Sequence, residues 1–544
     1  VDSKSVEKVS HRGWLLFLVI AILAMGIFFR FSNLDRKIYW HDEAYTSLRI
    51  SGYTTAEFFE QVYTGSSIGI EKLQKYQNPS SDKDIIDTVK SLAIEDAQHP
   101  PFYYIILRLW IGWFGSSVTI IRSLSAVISL LAFPCVYWLC LELFGSSLSG
   151  WIAIILLAVS PFQIVYAQEA REYSLWAVTI LVASLVFLKA VRLKTKSYWS
   201  IYAATVAMSL YTFLFSFFFL IGHGAYIIAI EKLRFNRTVR AYLLASFVGF
   251  LAFVPWFLVV IKGTSQISRT TSWMGSQETP PLNSIKVLAQ NISLTFFDLY
   301  LGQHFKLDGS GLDLLLLPLL ILIGYSFYFL YNKGPRSAWL FVVLLTWIIP
   351  LALILPDLLL GGRRSAWPRF IFPCSLGILL AVTYLFTIQI SSIYAASSWR
   401  RRIWQIAITL LISGEVLSCA VHVQAQDWWN KYGGQLILET AYVVNQSSQP
   451  LLISDSSDGN TMGSLLSLSH LLEPKVKVQL IVEPSVPIIS SNFSNIFLYQ
   501  ASEATKQKLK NDYEITPLIE PVYESGALYQ LNRKNEASKP AASS

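Results

Sequence analysis

Charge is scarce in this chain. Of 544 residues only 14% are Asp, Glu, Lys or Arg, against roughly 25% in an ordinary soluble domain, which excludes a conventional cytosolic enzyme. Cysteine is scarce as well. Cys135, Cys140, Cys374 and Cys419 all lie inside apolar runs with no CxxC spacing, so they read as small core residues and leave the redox compartment open. The seven histidines are scattered and no HExxH occurs, so no metal site follows from spacing. No GxGxxG and no GxxxxGK followed by Ser or Thr is present, which removes a phosphate-cradling loop and an ATP-driven motor. No internal repeat is visible.

Apolar residues make up 53% of the chain, with 17 Trp, 27 Tyr and 33 Phe. That much apolar surface must face something other than water, and the solvent that fits is a bilayer. A spanning helix needs about 20 apolar residues because lipid satisfies no backbone hydrogen bond. Runs that meet or approach this are 14–31, 117–143, 147–166, 172–190, 198–214, 215–230, 241–261, 312–331, 337–355, 370–392 and 403–422. The run 14–31 follows Lys4, Lys8 and Arg12 without a small-residue cleavage site, so it reads as a retained first span.

The net charge of +8 would suit nucleic acid only if it formed a basic surface. Instead the basic residues sit in short breaks at 189–197, 231–240, 332–338 and 400–402, beside an acidic remainder. This is the positive-inside pattern of a multi-pass membrane protein. With those breaks and the N-terminus cytoplasmic, loop 32–99, the turn near 168–172, the stretch 262–311, the turn 356–369 and everything after 423 fall outside. Parity then makes 100–115, which begins with two prolines and contains Arg108, interfacial or re-entrant, and leaves about eleven spans. The expected fold is an α-helical polytopic membrane domain, 1–422, with a large first external loop, 32–99, carrying helical pieces near 54–63 and 82–97. A small external α/β domain follows at 423–534. Its β-rich runs fall at 450–454, 476–482 and 496–500, its helix-like stretches at 432–446, 460–472 and 502–512, and the tail 535–544 reads as disordered.

Three constellations could carry chemistry. Tyr39-Trp40-His41-Asp42-Glu43-Ala44-Tyr45 places two carboxylates and an imidazole just past the first span, where partial burial beside aromatic anchors can tune a carboxylate into a base; it reads equally as a solvated loop end. Gln168-Glu169-Ala170-Arg171-Glu172-Tyr173 puts charges beside apolar helices, where they are costly unless paired or functional; Arg171 could simply neutralise Glu169 or Glu172. The run Gly361 to Arg369 holds Arg363, Arg364 and Arg369 on the outside, against the usual bias, and so calls for an anionic partner. A phosphate suits the guanidinium fork, and lipid headgroups are the plain alternative. His41 and His99 could join Asp42 or Glu43 around a divalent cation, although such histidines more often only hydrogen-bond. No cofactor is otherwise required. Together these groups suit transfer of a glycosyl unit from a lipid phosphate, which needs a base for the acceptor hydroxyl and cations for the departing phosphate.

At these residues the chain resembles the membrane glycosyltransferases of the GT-C fold, the group containing family-39-like bacterial enzymes, protein O-mannosyltransferases and lipid A aminoarabinose transferases. The motifs that carry the resemblance are Asp42-Glu43 after span one, HPPFYY (His99 to Tyr104), SPFQIVYAQEAREYS (Ser160 to Ser174) and an Arg-aromatic-x-x-Pro turn (Arg369 to Pro373). It covers about residues 14–420. It implies an inverting transfer from a polyprenyl-phosphate-linked sugar to an acceptor hydroxyl on the external face of a plasma (inner) membrane, the acceptor being a lipid, glycan or protein. Asp42 matches the acidic residue that acts as base and Glu43 its immediate partner. Glu169 lies near the family's second acidic position, and Arg171 and Arg369 are carried over as donor-phosphate contacts. Tyr173, Arg364, His99 and His41 complete the expected substrate-binding set. Phe370 stands where the family commonly has Tyr, and Gln168-Glu169 where it has Asp. The alternatives are a transporter or flippase, which would call for charges in mid-span and inverted repeats, and a relative that binds glycan or protein through 423–544 without catalysis.

Overall fold

The computed structural model describes residues 3–275, 281–299, 316–391, 398–455, 458–482, 487–520 and 527–534. The tail 535–544 and the whole of 300–315 lie outside the described residues. The chain divides into two compact units, one made of Val1–Leu34, Asp96–Tyr103 and Thr119–Ala425, the other of Asp35–Glu95, Tyr104–Val118 and Gln426–Ser544.

The first unit is helical. Among the described residues seven helices are long and apolar enough to cross a membrane: Val118–Phe144, Tyr173–Leu193, Arg237–Lys262, Leu316–Lys333, Arg336–Leu360, Pro368–Ile390 and Trp399–Gln424. Shorter apolar helices occupy Leu16–Phe31 and Ser216–Ile230, and Lys196–Thr212 is also helical; another, Phe102–Phe114, falls mostly within the second unit. The apolar run 147–166, expected as one crossing, is broken: Ser147–Val159 and Pro161–Ala167 meet at 59°. Ser160 takes an extended ψ of 118°, because a residue before proline is pushed out of the α region and Pro161 has no N–H to continue the ladder. Pro368–Ile390 is almost wholly enclosed by protein and Arg237–Lys262 largely is not, which marks the former as the centre of the bundle and the latter as a face for lipid. Arg30 is buried, and its cost is met by hydrogen bonds to Ser129 Oγ at 3.0 Å, Gly26 O at 2.9 Å and Leu157 O at 3.0 Å, which tie three helices together.

The second unit is α/β. Its sheet has the order β1-β3-β2-β4-β6-β5, with β1 Ser67–Gly69, β2 Pro450–Ser454, β3 Lys477–Leu480, β4 Asn495–Tyr499, β5 Tyr513–Ile519 and β6 Leu528–Arg533. β3, β2 and β4 run parallel, with the helix Gly459–Leu468 as the crossover between β2 and β3; the helix Glu503–Leu509 follows β4 and leads into β5. Leu451, Ile453, Ile496, Leu498, Leu509 and Leu531 form its core. β1 comes from the 32–99 segment and pairs antiparallel to β3, Ser67 opposite Gln479. The unit therefore joins two stretches that hydropathy had separated by every apolar run after the first. Helices Thr55–Val62 and Ile85–Glu95 fall where helical pieces were expected. Thr54 caps the first through a capping box with Glu57. Glu95 accepts from Thr55 N at 2.6 Å and pairs with Arg49 at 2.7 Å. The helix His41–Ile50 was not foreseen.

Candidate functional site

In the first unit the chain after the broken helix turns sharply through Gln168 to Glu172 and re-enters the helix Tyr173–Leu193. Every residue of the turn is buried. Gln168 anchors it by donating from Nε2 to Phe29 O at 2.6 Å and Ser32 O at 2.8 Å. Glu172 is fully buried, with Oε1 2.9 Å from His99 Nδ1 and Oε2 3.4 Å from Arg171 Nε. Arg171 Nη2 lies 3.3 Å from each imidazole nitrogen of His99. Burial by itself would raise the Glu172 carboxyl, but the Arg171 charge and then His99 outweigh it and hold the group at about 2. Glu172 is thus an ionised anchor with its cations already supplied, and Arg171 has found a carboxylate one residue away.

Glu169, Tyr173 and Arg369 share one side chain within electrostatic range. Tyr166, at the end of the broken helix, stands within electrostatic reach of Glu169, Tyr173, Arg369 and Asp298. Its ring packs on Tyr173 at 5.0 Å and on Phe372 at 5.4 Å. The Arg369 guanidinium lies 5.1 Å from the ring centre of Trp367, 5.3 Å from Phe370 and 5.8 Å from Trp273, and Trp273 meets Trp367 edge-on at 4.8 Å. Aromatic faces hold a guanidinium in plane without consuming its donors. Phe370, the departure from the family pattern, is part of this cage. Asp298, fully buried, anchors its backbone N–H on Ser418 Oγ at 3.0 Å. Sequence reading missed Asp298 and Trp273, because neither sits in a motif and only the packing of distant segments brings them to Tyr166 and Arg369.

Arg364 has a different occupation. Its Nη1 donates to Asp357 Oδ1 at 3.0 Å and to Gly361 O at 2.7 Å, while Asp357 also accepts from Arg364 N at 3.0 Å and from Ser365 N at 2.7 Å. Gly361 and Gly362 take φ of 74° and 122°, values open to glycine and rarely to other residues, so the chain can fold back onto Asp357. The anionic partner that the arginine run called for is, for Arg364, seven residues upstream in the chain itself.

In the second unit Asp42 and Glu43 occupy the first turn of the helix His41–Ile50, where the backbone dipole favours negative charge. The two carboxylates are not equivalent. Asp42 is half-buried. Glu43 is fully buried, its Oε2 2.8 Å from the Nζ of Lys431, whose side chain is 2% exposed. His41 stacks near Tyr45, ring centres 4.9 Å apart, and lies directly against Gly463. The Tyr45 hydroxyl donates to Gly459 O at 3.0 Å. Among the described residues no three His, Cys, Asp or Glu side chains converge as a metal site.

Among the described residues the fold is thus a set of apolar helices, seven of them long enough to cross a membrane, with a small mixed-sheet unit. Residues 98–258, the segment holding His99, the broken helix and the Glu169–Glu172 turn, are similar to the dolichyl-phosphate-mannose-protein mannosyltransferase family. No curated protein matches the sequence. Among solved structures, ArnT from Cupriavidus metallidurans in the apo state is similar over 96% of this chain and 98% of that one, at 14% identity and TM-score 0.48. The same protein bound to undecaprenyl phosphate gives 13% identity and 0.46 over 95% and 98%. The Archaeoglobus fulgidus oligosaccharyltransferase gives 12% identity and 0.49 over 97% and 75%.

Proposed function

We propose that the protein is an inverting glycosyltransferase that moves a sugar from a polyprenyl-phosphate-linked donor to an acceptor hydroxyl at the external face of the membrane. The observation that carries this reading is the Arg369 guanidinium, held by Trp273, Trp367 and Phe370 beside Tyr166. A caged arginine next to carboxylates is suited to a phosphate that leaves as an anion, while the acidic groups bind sugar hydroxyls. In this reading Arg369 holds the donor phosphate, Glu169 and Tyr173 orient the sugar, and Arg171 and His99, fixed by the buried carboxylate of Glu172, complete the substrate-binding set. Asp42 takes the proton of the acceptor hydroxyl, the hydroxyl oxygen attacks the anomeric carbon, and the bond to the phosphate oxygen breaks with its electron pair on the phosphate. Glu43 is the partner of Asp42; His41 and Arg364 support the substrate-binding surfaces from their own turns.

The test is transfer from radiolabelled polyprenyl-phosphate mannose, glucose and arabinose in membranes containing Asp42→Asn. A general base contributes about 10²–10⁴ in rate, so turnover should fall by that order with the protein still folded. Full activity would remove Asp42 from the role. Arg369→Lys should raise the donor KM about tenfold, because an ammonium keeps the charge and loses the planar fork; labelled flux across proteoliposomes with no covalent transfer would replace the enzyme by a transporter.

A further inference from the structure

The two adjacent carboxylates of the His41–Ile50 helix present a choice of base, and the structure contains a device that makes it. Successive residues on a helix point about 100° apart. Glu43 turns inward to full burial while Asp42 stays half-buried. What receives Glu43 is Lys431, almost 400 residues away in sequence, at 2.8 Å with both side chains excluded from water. Lys431 also lies 5.6 Å from the ring centre of Trp40, the residue that caps this helix.

The ammonium is placed by a built turn. Lys431 N donates to Trp428 O at 2.8 Å, Gly434 N donates to Lys431 O at 2.9 Å, and Trp428 is fully buried beneath them. Gly433, at φ 74°, supplies the left-handed step that ends the turn. The same segment is stitched to the residues leading into the helix by Ile38 N donating to Gln426 O at 2.9 Å. A buried carboxylate would not persist there without a cation, and a buried ammonium would not persist without a carboxylate.

We propose that Lys431 is a positioning residue of the transferase: its ammonium engages Glu43, withdraws that carboxylate from proton transfer and fixes the first helical turn so that Asp42 alone faces the acceptor. This rests on Asp42 being the base. It assigns the segment after the helix Ser398–Gln424, for which the motifs gave no role, to base selection.

Charge logic gives a signature that a purely structural tie would not. Glu43→Gln keeps a hydrogen-bond acceptor for the ammonium but adds net positive charge beside Asp42, which favours its ionised form. Lys431→Met leaves net negative charge there and does the opposite. In native membranes supplied with whichever of polyprenyl-phosphate mannose, glucose or arabinose the wild type consumes, the acidic limb of the pH–rate profile should move down by about half a unit in E43Q and up by about half a unit in K431M. In both, kcat should fall about tenfold with the donor KM unchanged, as expected when transition-state positioning is lost. The double variant E43Q/K431M should return the limb to its wild-type position with kcat still low. Limbs that stay put, or move in the same direction, in folded variants overturn the proposal. If K431M is not recovered folded, E43Q decides alone: a downward limb supports the proposal, and an unmoved or rising one overturns it. D42N separates the two levels. An inactive D42N with unmoved limbs in the other variants removes only Lys431's role, whereas an active D42N removes the base and the proposal with it.

Discussion

The turn Gln168–Glu172 in the first unit and the first turn of the His41–Ile50 helix in the second solve one problem in two ways. Each buries a carboxylate beside a second acidic residue. Glu172 takes a cation from the preceding residue in the chain, Arg171, and adds His99; Glu43 pairs with Lys431, 388 residues further along the sequence. Local neutralisation survives almost any rearrangement of the fold, because Arg171 cannot leave Glu172. Long-range neutralisation makes the carboxylate conditional on the whole unit being assembled. The comparison indicates that the Glu172 charge is met in part within its own turn and that the Asp42-Glu43 turn reports on the state of the C-terminal segment.

The largest expected effect breaks the two apart. Lys431→Met strands Glu43 and should cost about 3–5 kcal/mol, read as the loss of thermal stability in detergent. Arg171→Met should cost about 1–3 kcal/mol, because His99 still contacts Glu172. Equal losses would mean that the second partner of Glu172 counts for nothing. Next comes acid stability. The Glu172 carboxyl is held at about 2 against an ordinary 4.5, so its contribution is present above about pH 4.5 and is lost as pH falls toward 2. That contribution is on the order of 3 kcal/mol. Glu172→Gln should flatten the dependence of Tm on pH in that window; an unchanged slope would assign acid unfolding to other groups. The smallest effect sharpens the second region. A Cβ on Gly463 would lie 2.1 Å from His41 Nδ1, so Gly463→Ala should cost about 1–3 kcal/mol by overpacking. Adding His41→Ala should return part of it, and a double-mutant cycle with no coupling would show that the backbone, not His41, absorbs the clash.

Much of the helical unit was legible because apolar periodicity and length are local properties. The runs at 117–143, 172–190, 241–261 and 370–392 became the helices Val118–Phe144, Tyr173–Leu193, Arg237–Lys262 and Pro368–Ile390. Even the break at Ser160 had a written cause in Pro161, although the run was read as continuous. In the second unit the expected strands at 450–454, 476–482 and 496–500 stand as β2, β3 and β4. β1 was not legible, since three residues, Ser67-Ile68-Gly69, carry no strand pattern of their own and become a strand only by pairing with β3. The Glu169, Tyr173 and Arg369 grouping could be suspected from charge placed against apolar helices. Its completion by Trp273 and Asp298 could not, because a tryptophan and an aspartate outside any motif look like a hundred others until a fold gives them neighbours.

The residues alone determined that this chain needs a bilayer, roughly where its long apolar helices lie, and which turns carry charge too expensive to be idle; each of these follows from what a stretch of ten or twenty side chains does in water or in lipid. Only the tertiary structure decided that Glu43 and Arg364 are spoken for by Lys431 and Asp357, that Arg369 lies in an aromatic cage, and that the 35–95 segment shares a sheet with the C-terminal strands. Those outcomes depend on which distant groups meet at a few ångströms, and the strength of a charge–charge or ring contact at that range is invisible to any pattern read along the chain.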